Sequence, residues 1–193
     1  MEEAAAHLSY QEYLALELER GERCEYADGL VYAMAGGTPT HSRLCSNTLA
    51  QLQLALAGRR CVVHGPELKL RVEATNRATY ADASVFCDEL ETSEVDGNAA
   101  TNPRVIIEVL SPSTEAADRG EKFRHYQHFE ALEEYVLVSQ DRPRVEVFTR
   151  IRAGRGPQDA WRLTIRGPGD EVAFASLDVA VAVDAIYHDP LAG

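Results

Sequence analysis

One carboxylate stands inside the run Val105-Ile106-Ile107-Glu108-Val109-Leu110, which is otherwise apolar on both alternating faces. Such a run reads as a strand covered on both sides, where an unpaired carboxylate costs several kcal/mol or is forced neutral. The chain must therefore bring a compensating group to Glu108, so this one strand constrains fold and chemistry together. A second carboxylate, Asp82, opens the preceding strand-like segment ahead of Val85 and Phe86. Neighbouring strands lie about 5 Å apart, so the two acids can converge.

The segments around this pair alternate between helical and extended patterns. Ser9 and Glu12 have capping-box spacing, and Tyr10, Tyr13, Leu14 and Leu18 follow at helical intervals, which predicts a helix over residues 10–20 ended by Gly21. Asp28-Gly29, between two short aromatic and aliphatic runs, predicts a two-residue β-hairpin. Thr38 as N-cap and Pro39 in the first turn begin a second amphipathic helix, which runs through Leu44, Leu52 and Leu56 to Gly58. CVVH, ELKLRVE, ADASVFCD and RVIIEVL then read as strands, with an acidic loop around Asp96-Gly97.

A helix from Glu115 to about Phe129, with Phe123, Tyr126 and Phe129 at helical spacing, returns the chain to the buried strand EYVLVS. RVEVFTR pairs with that strand through the DRP turn. WRLTIRG and LDVAVAVDAIY suggest further strands and a short terminal element, and Trp161 and Leu163 fit either closure of the sheet or a partner surface. With 193 residues and no repeat or linker, the expectation is one α/β domain over 1–193 with its core at about 38–150. Its mixed central sheet is flanked by helices, with an additional N-terminal helix and β-hairpin.

Hydrophobic residues at 45% and charged residues at 26% imply a soluble, compact chain. The acidic N-terminus lacks the order of a signal peptide and no apolar run reaches membrane-spanning length, so a cytoplasmic location and no membrane partner are expected. Cys24, Cys45, Cys61 and Cys87 show no CxxC spacing, which suggests four free, small, buried hydrophobes. The net charge of −12 opposes a polyanion as partner. Against it, Arg119, Lys122, Arg124, Arg142, Arg144, Arg150, Arg152 and Arg155 concentrate in residues 119–155 and permit a local basic face.

Close carboxylates repel unless a divalent cation lies between them, and Mg²⁺, with Mn²⁺ as a substitute, suits oxygen ligands and phosphodiester chemistry. Asp82 and Glu108 are the candidate metal ligands. Lys122, on the helix after the Glu108 strand, can orient the attacking water and neutralise developing charge. Taken singly, Asp82 also fits a strand-edge acid, and Lys122 fits a solvated helix face paired with Asp118 or Glu121. Only the set of three points to catalysis.

The order of elements resembles the core of the PD-(D/E)XK nuclease superfamily, and the string IIEVLSPSTEAADRGEKFRHYQHFEALEEYVLV is similar to a large bacterial family of restriction-endonuclease-like proteins within it. The resemblance carries over to Asp82, Glu108, Ser111, Asp118 and Lys122, and upstream to Glu25, Asp28-Gly29 and His41. It covers roughly residues 9–150. Ala81 replaces the proline that usually precedes the aspartate, and Leu110 stands where the superfamily has its lysine, so Lys122 from the helix must substitute. Glu25 and His41 are accessory candidates, for a water beside the metal and for a phosphate or carboxylate contact. A surface hairpin acid and a first-turn histidine describe them equally well.

The resemblance implies a Mg²⁺-dependent endonuclease acting on DNA, and one active site per chain makes a homodimer plausible for cutting two strands. Two other readings remain open. One is a nuclease-fold binding module without cleavage, which the net acidity favours; the other is a metal-dependent phosphoesterase on small substrates.

Overall fold

The computed structural model describes residues 7–34, 36–152 and 159–191, so Arg155 of the basic segment lies outside the described residues. Helix α1 (Tyr10–Arg20) starts at the expected capping box, in which Ser9 Oγ accepts from the Glu12 N–H at 3.3 Å. Strands β1 (Cys24–Ala27) and β2 (Leu30–Ala33) form the expected hairpin. Asp28 and Gly29 both take positive φ, 42° and 95°, as a tight hairpin turn of this hand requires. Gly29 also lies against the His7 ring, where a Cβ would clash. Helix α2 (Pro39–Ala55) is capped by Thr38, whose Oγ1 accepts from the His41 N–H.

Seven strands follow: β3 (Val62–His64), β4 (Lys69–Val72), β5 (Arg77–Tyr80), β6 (Ala83–Phe86), β7 (Thr92–Ser93), β8 (Asp96–Ala100) and β9 (Val105–Val109). The expected helix after β9 is a composite of α3 (Glu115–Ala117), a π-helical turn (Asp118–Lys122) and α4 (Phe123–Tyr126). The chain then forms β10 (Glu134–Val138), β11 (Val145–Ile151), β12 (Ala160–Arg166), β13 (Glu171–Phe174), β14 (Val179–Ala182) and α5 (Val183–Tyr187).

The main sheet has the order β12-β11-β10-β9-β6-β3 and is mixed: β9 and β10 run parallel, while β6 and β11 are antiparallel to their neighbours. Alternation along β9 sorts the core. Val105, Ile107 and Val109 face Leu44 and Leu52 of α2 together with Phe174, Val181 and Ile186 from the C-terminal segment. Ile106 and Leu110 face the opposite layer, where Tyr126, Phe129, Leu132 and Tyr135 pack. Glu108 shares the parity of Ile106 and so points toward the π-helical segment. Glu134, fully buried at the start of β10, accepts from the N–H groups of Ala175 and Ser176 and from Ser176 Oγ, which ties the C-terminal segment to the sheet.

Three expectations change. The ELKLRVE strand leaves the main sheet and joins a second one, of order β2-β1-β5-β4-β8-β7. Asp96-Gly97 begins strand β8 instead of forming a loop, because Lys69 Nζ (3.0 Å) and the Tyr10 hydroxyl (2.8 Å) satisfy the Asp96 carboxylate and β8 pairs parallel with β4. Cys61 and Cys87 are not free: the antiparallel β3–β6 register sets position 61 opposite 87, and the two form a disulfide. Cys24 and Cys45 remain thiols, Cys24 buried and Cys45 half-buried.

Much of the basic segment is paired with acids, while Arg124 and Arg142 stay exposed. Arg119 pairs with Glu146 and Glu115, Arg144 with Glu146, Arg150 with the buried Asp159, Arg152 with Glu133, and Lys122 points into the protein. Trp161 on β12 packs against the Tyr126 layer at the sheet edge, whereas Leu163 (45%) and Ile165 (44%) stay exposed. Among the described residues no helix is long and apolar enough to cross a membrane.

The disulfide closes a loop with a sequence separation of 26, worth about 3 kcal/mol in unfolded-chain entropy. Reduction is expected to lower the denaturant midpoint, and a Cys61→Ser/Cys87→Ser variant to show the same lowered midpoint with no further response to reductant. Equal midpoints for oxidised, reduced and variant protein would remove the disulfide from the account of stability.

Candidate active site

The β6–β9 register places the acids. Ala83 pairs with Ile107, and continuing that antiparallel register by one residue sets Asp82 opposite Glu108. The β9 backbone also holds the first acid, since Asp82 Oδ2 accepts the Val109 N–H at 2.7 Å. From the other side His41, in the first turn of α2, brings Nε2 to 3.5 Å from the same oxygen. Burial alone would raise the Asp82 pKa, but the His41 and Val109 hydrogen bonds outweigh it and keep the carboxyl below its ordinary value. The same contact with Asp82 raises the His41 pKa against the effect of burial.

Glu108 receives the compensation its strand demands from one face of the composite helix. Lys122 Nζ lies 2.8 Å from Glu108 Oε1, and the Tyr126 hydroxyl donates to the same oxygen at 2.8 Å. Lys122 is also 3.4 Å from Asp118 Oδ1 and 3.6 Å from Glu25 Oε1. Glu25 is held on β1 by the Thr79 hydroxyl and by Arg77, which also pairs with Glu121. Asp82, Glu108, Lys122, Glu25 and His41 are thus brought into one cluster. Ser111 is not part of it: its hydroxyl contacts those of Ser113 and Thr114 in the turn before α3.

Charge within the cluster does not balance. A single ammonium serves Glu108 and Asp118 and, at longer range, shares Glu25 with Arg77. Burial pushes Glu108 up to about 8 although Lys122 opposes it, and burial likewise raises Asp118. Burial disfavours the Lys122 charge as well, yet the surrounding anionic groups, Glu108 foremost, hold it well above the ordinary lysine range. A buried excess of negative charge is relieved by a proton or by a cation.

The free atoms favour a hard cation. Both contacts to Glu108 end on Oε1, leaving Oε2 uncommitted among the described contacts, and the Val109 and His41 contacts to Asp82 end on Oδ2, with the Cys45 thiol also beside that carboxylate. Two opposed carboxylates, one of them with an uncommitted oxygen, suit a divalent ion that keeps several waters. The residues present therefore fit Mg²⁺ or Mn²⁺.

Sequence reasoning missed Tyr126, Arg77, Thr79 and Cys45. Tyr126 read as part of an apolar stripe with Phe123 and Phe129. Its position four residues after Lys122 carried the available signal, because both then reach the same strand. Cys45, one turn after His41, has Sγ 3.5 Å from His41 Nδ1.

A mixed sheet with opposed aspartate and glutamate on adjacent strands, and a lysine delivered from the following helix, defines a protein of the restriction-endonuclease-like class. The chain belongs to the Uma2 family, described as "Putative restriction endonuclease", which matches residues 10–177. It is 35% identical over 181 residues to the "Uncharacterized protein slr1290" of Synechocystis sp., covering 94% of this chain and 92% of that one. It is 30% identical over 173 residues to "Uncharacterized protein sll1609" of the same organism, covering 89% and 95%. The crystal structure of a "putative nuclease belonging to DUF820" from Anabaena variabilis superposes with a TM-score of 0.72 at 18% identity, covering 93% of this chain and 97% of that one. That likeness extends the comparison to the whole fold.

Lys122→Met is expected to destabilise the protein by about 3–5 kcal/mol at pH 8, because it leaves buried carboxylates without their cation. The native Glu108 carboxyl, raised above its ordinary value of 4.5, holds its proton to higher pH than the unfolded chain does. Stability therefore falls as pH rises between those values, and loss of Lys122, which had held the carboxyl down, extends the fall to higher pH. Urea unfolding at about pH 6 and pH 9 checks this: a deficit equal at both would show that Lys122 does not act on Glu108 through charge.

Proposed function

We propose that the chain is a Mg²⁺-dependent endodeoxyribonuclease, with the whole chain forming one unit and two copies acting on opposite strands of DNA. The observation that carries this reading is the opposed pair of carboxylates, Asp82 and Glu108, beside the Lys122 ammonium. Asp82 and Glu108 would hold the ion, which supplies charge neutralisation and Lewis-acid activation at a scissile phosphate.

The remaining roles belong to the chain's own side chains. Lys122, kept charged by its neighbours, orients the attacking water and offsets negative charge that develops on the phosphoryl oxygens. Tyr126 fixes one oxygen of Glu108 by donating to it, so the other keeps a defined direction. His41 and the Val109 N–H do the same for Asp82, and Glu25 holds Lys122 from the side of β1. Water adds to phosphorus, one P–O ester bond breaks, and the leaving oxygen takes up a proton.

One observation favours a second reading, a phosphoesterase acting on small substrates. The net charge is −12, and Arg119, Arg144, Arg150 and Arg152 of the basic segment are paired with acids, which reduces the positive surface that could displace counterions from a long polyanion. Nicking of supercoiled plasmid, run beside hydrolysis of bis(p-nitrophenyl) phosphate, separates the two.

Cutting is expected with Mg²⁺ or Mn²⁺ and not with EDTA, and Glu108→Gln and Lys122→Ala should each lose about 100-fold or more. Ion binding must expel the Glu108 proton, so at sub-saturating Mg²⁺ the rate should climb as pH rises toward about 8. Cleavage that both variants retain, or that ignores EDTA, would defeat the assignment. Cleavage of the small diester alone would move it to the second reading.

A further inference from the structure

We propose that His41, Cys45 and Asp82 form a second metal site, selective for zinc-class ions, that shares Asp82 with the Mg²⁺ pair and makes such ions inhibitors. The three donors lie within 4.8 Å of one another and are half-buried, open enough for an ion to enter. His41 and Cys45 stand four residues apart on one face of α2, the helical spacing that lets two side chains chelate together. Cys45 Sγ is 3.5 Å from His41 Nδ1, and His41 Nε2 is 3.5 Å from Asp82 Oδ2. A tetrahedral ion about 2.3 Å from sulfur and about 2.0–2.2 Å from nitrogen and oxygen holds its ligands roughly 3.3–3.6 Å apart. Only one imidazole nitrogen can take the ion, and counted with one atom per residue the donors spread to within 4.8 Å, so rotation of these side chains must draw the set together.

The donors are placed by rigid elements. Thr38 caps the start of α2 and its hydroxyl donates to Gln140 at 2.8 Å, while Leu44, Thr48 and Leu52 on the same helix are buried. Asp82 is fixed by the Val109 N–H. Thiolate and imidazole select zinc, cobalt and related ions, whereas Mg²⁺ takes oxygen ligands. Binding deprotonates the Cys45 thiol and releases one proton to solvent while a metal–sulfur bond forms. With Asp82 drawn into this set, the Mg²⁺ site loses one of its two carboxylates.

The binding half stands without the nuclease reading, and the inhibition half rests on it. Co²⁺ titrated into the full chain, with its disulfide intact, is expected to give one equivalent of a thiolate-to-cobalt charge-transfer band that Zn²⁺ abolishes. Cys45→Ala should lose the band and His41→Ala should weaken binding by about tenfold or more. Glu108→Gln and Cys24→Ala, which removes the other free thiol, should keep it. Absence of the band in wild type, or its survival in Cys45→Ala, overturns the site.

In the plasmid assay, stoichiometric Zn²⁺ should suppress Mg²⁺-dependent nicking. Relative to its own uninhibited rate, Cys45→Ala should need about tenfold more Zn²⁺ for the same suppression. The cobalt band with no suppression overturns the inhibition. The cobalt band in a protein that never cuts leaves the metal site standing and removes the nuclease assignment instead.

Discussion

Everything near the site depends on how Glu108 is neutralised. It sits in the middle layer of the molecule, on a strand with Val105, Ile107 and Val109 packed against α2 on one face and Ile106 and Leu110 packed against Tyr126 and Phe129 on the other. Water cannot solvate it, so the chain after β9 must turn back at once and lay a helix over the sheet with a cation and a hydroxyl aimed at one carboxylate oxygen. The segment 115–126 does this, and its π-helical turn spans Asp118 to Lys122, the stretch that supplies the cation. Widened turns of this kind commonly mark functional positions in helices. Fold and site are one solution to one electrostatic problem.

That solution is poor as a stabilising device. Desolvating an ammonium and several carboxylates costs more than their attraction returns unless every remaining lone pair is satisfied, and apolar residues of similar volume hold such places better. Here Asp118 adds its charge to that of Glu108 beside Lys122, while Glu25 is shared with Arg77 and Asp82 with His41. An arrangement that leaves anions under-compensated at a strand junction makes sense as a seat for a cation. Under the proposed reading, a bound cation would relieve that excess of charge.

What was legible in the sequence follows from this physics. Glu108 stood out because a charge in an apolar run violates binary pattern, and Asp82, Lys122 and the helix that joins them followed from strand spacing and from the family likeness. Local signals were equally readable: the Ser9–Glu12 box, the Asp28-Gly29 turn and the Thr38 cap involve residues within four positions of one another. The losses are pairings over long distance. Asp96 looked like a loop acid because Lys69 and Tyr10, its partners, are 27 and 86 residues away. Cys61 and Cys87 meet only when β3 and β6 register, and the arginines after residue 119 looked like a surface face because Glu146, Glu133 and Asp159 could not be matched to them beforehand. Tyr126 hid for a different reason: a phenol serves an apolar stripe and a carboxylate with the same side chain.

The paired arginines bear on how such a protein engages a phosphodiester. A nuclease that tracks duplex DNA by counterion release needs exposed lysines and arginines, and this chain spends Arg119, Arg144, Arg150 and Arg152 on internal and surface acids. Attraction for phosphate is then concentrated where Asp82 and Glu108 would hold a divalent ion beside Lys122, a point charge at the chemistry in place of a charged groove around it. Ground-state binding of a long substrate gains little from that arrangement. Charge that develops only as the phosphoryl group is attacked gains most, because it appears within reach of the ion and the ammonium in a poorly hydrated cluster. Weak grip on the polymer and strong preference for the transition state are compatible properties, and the acidity of the chain opposes only the first.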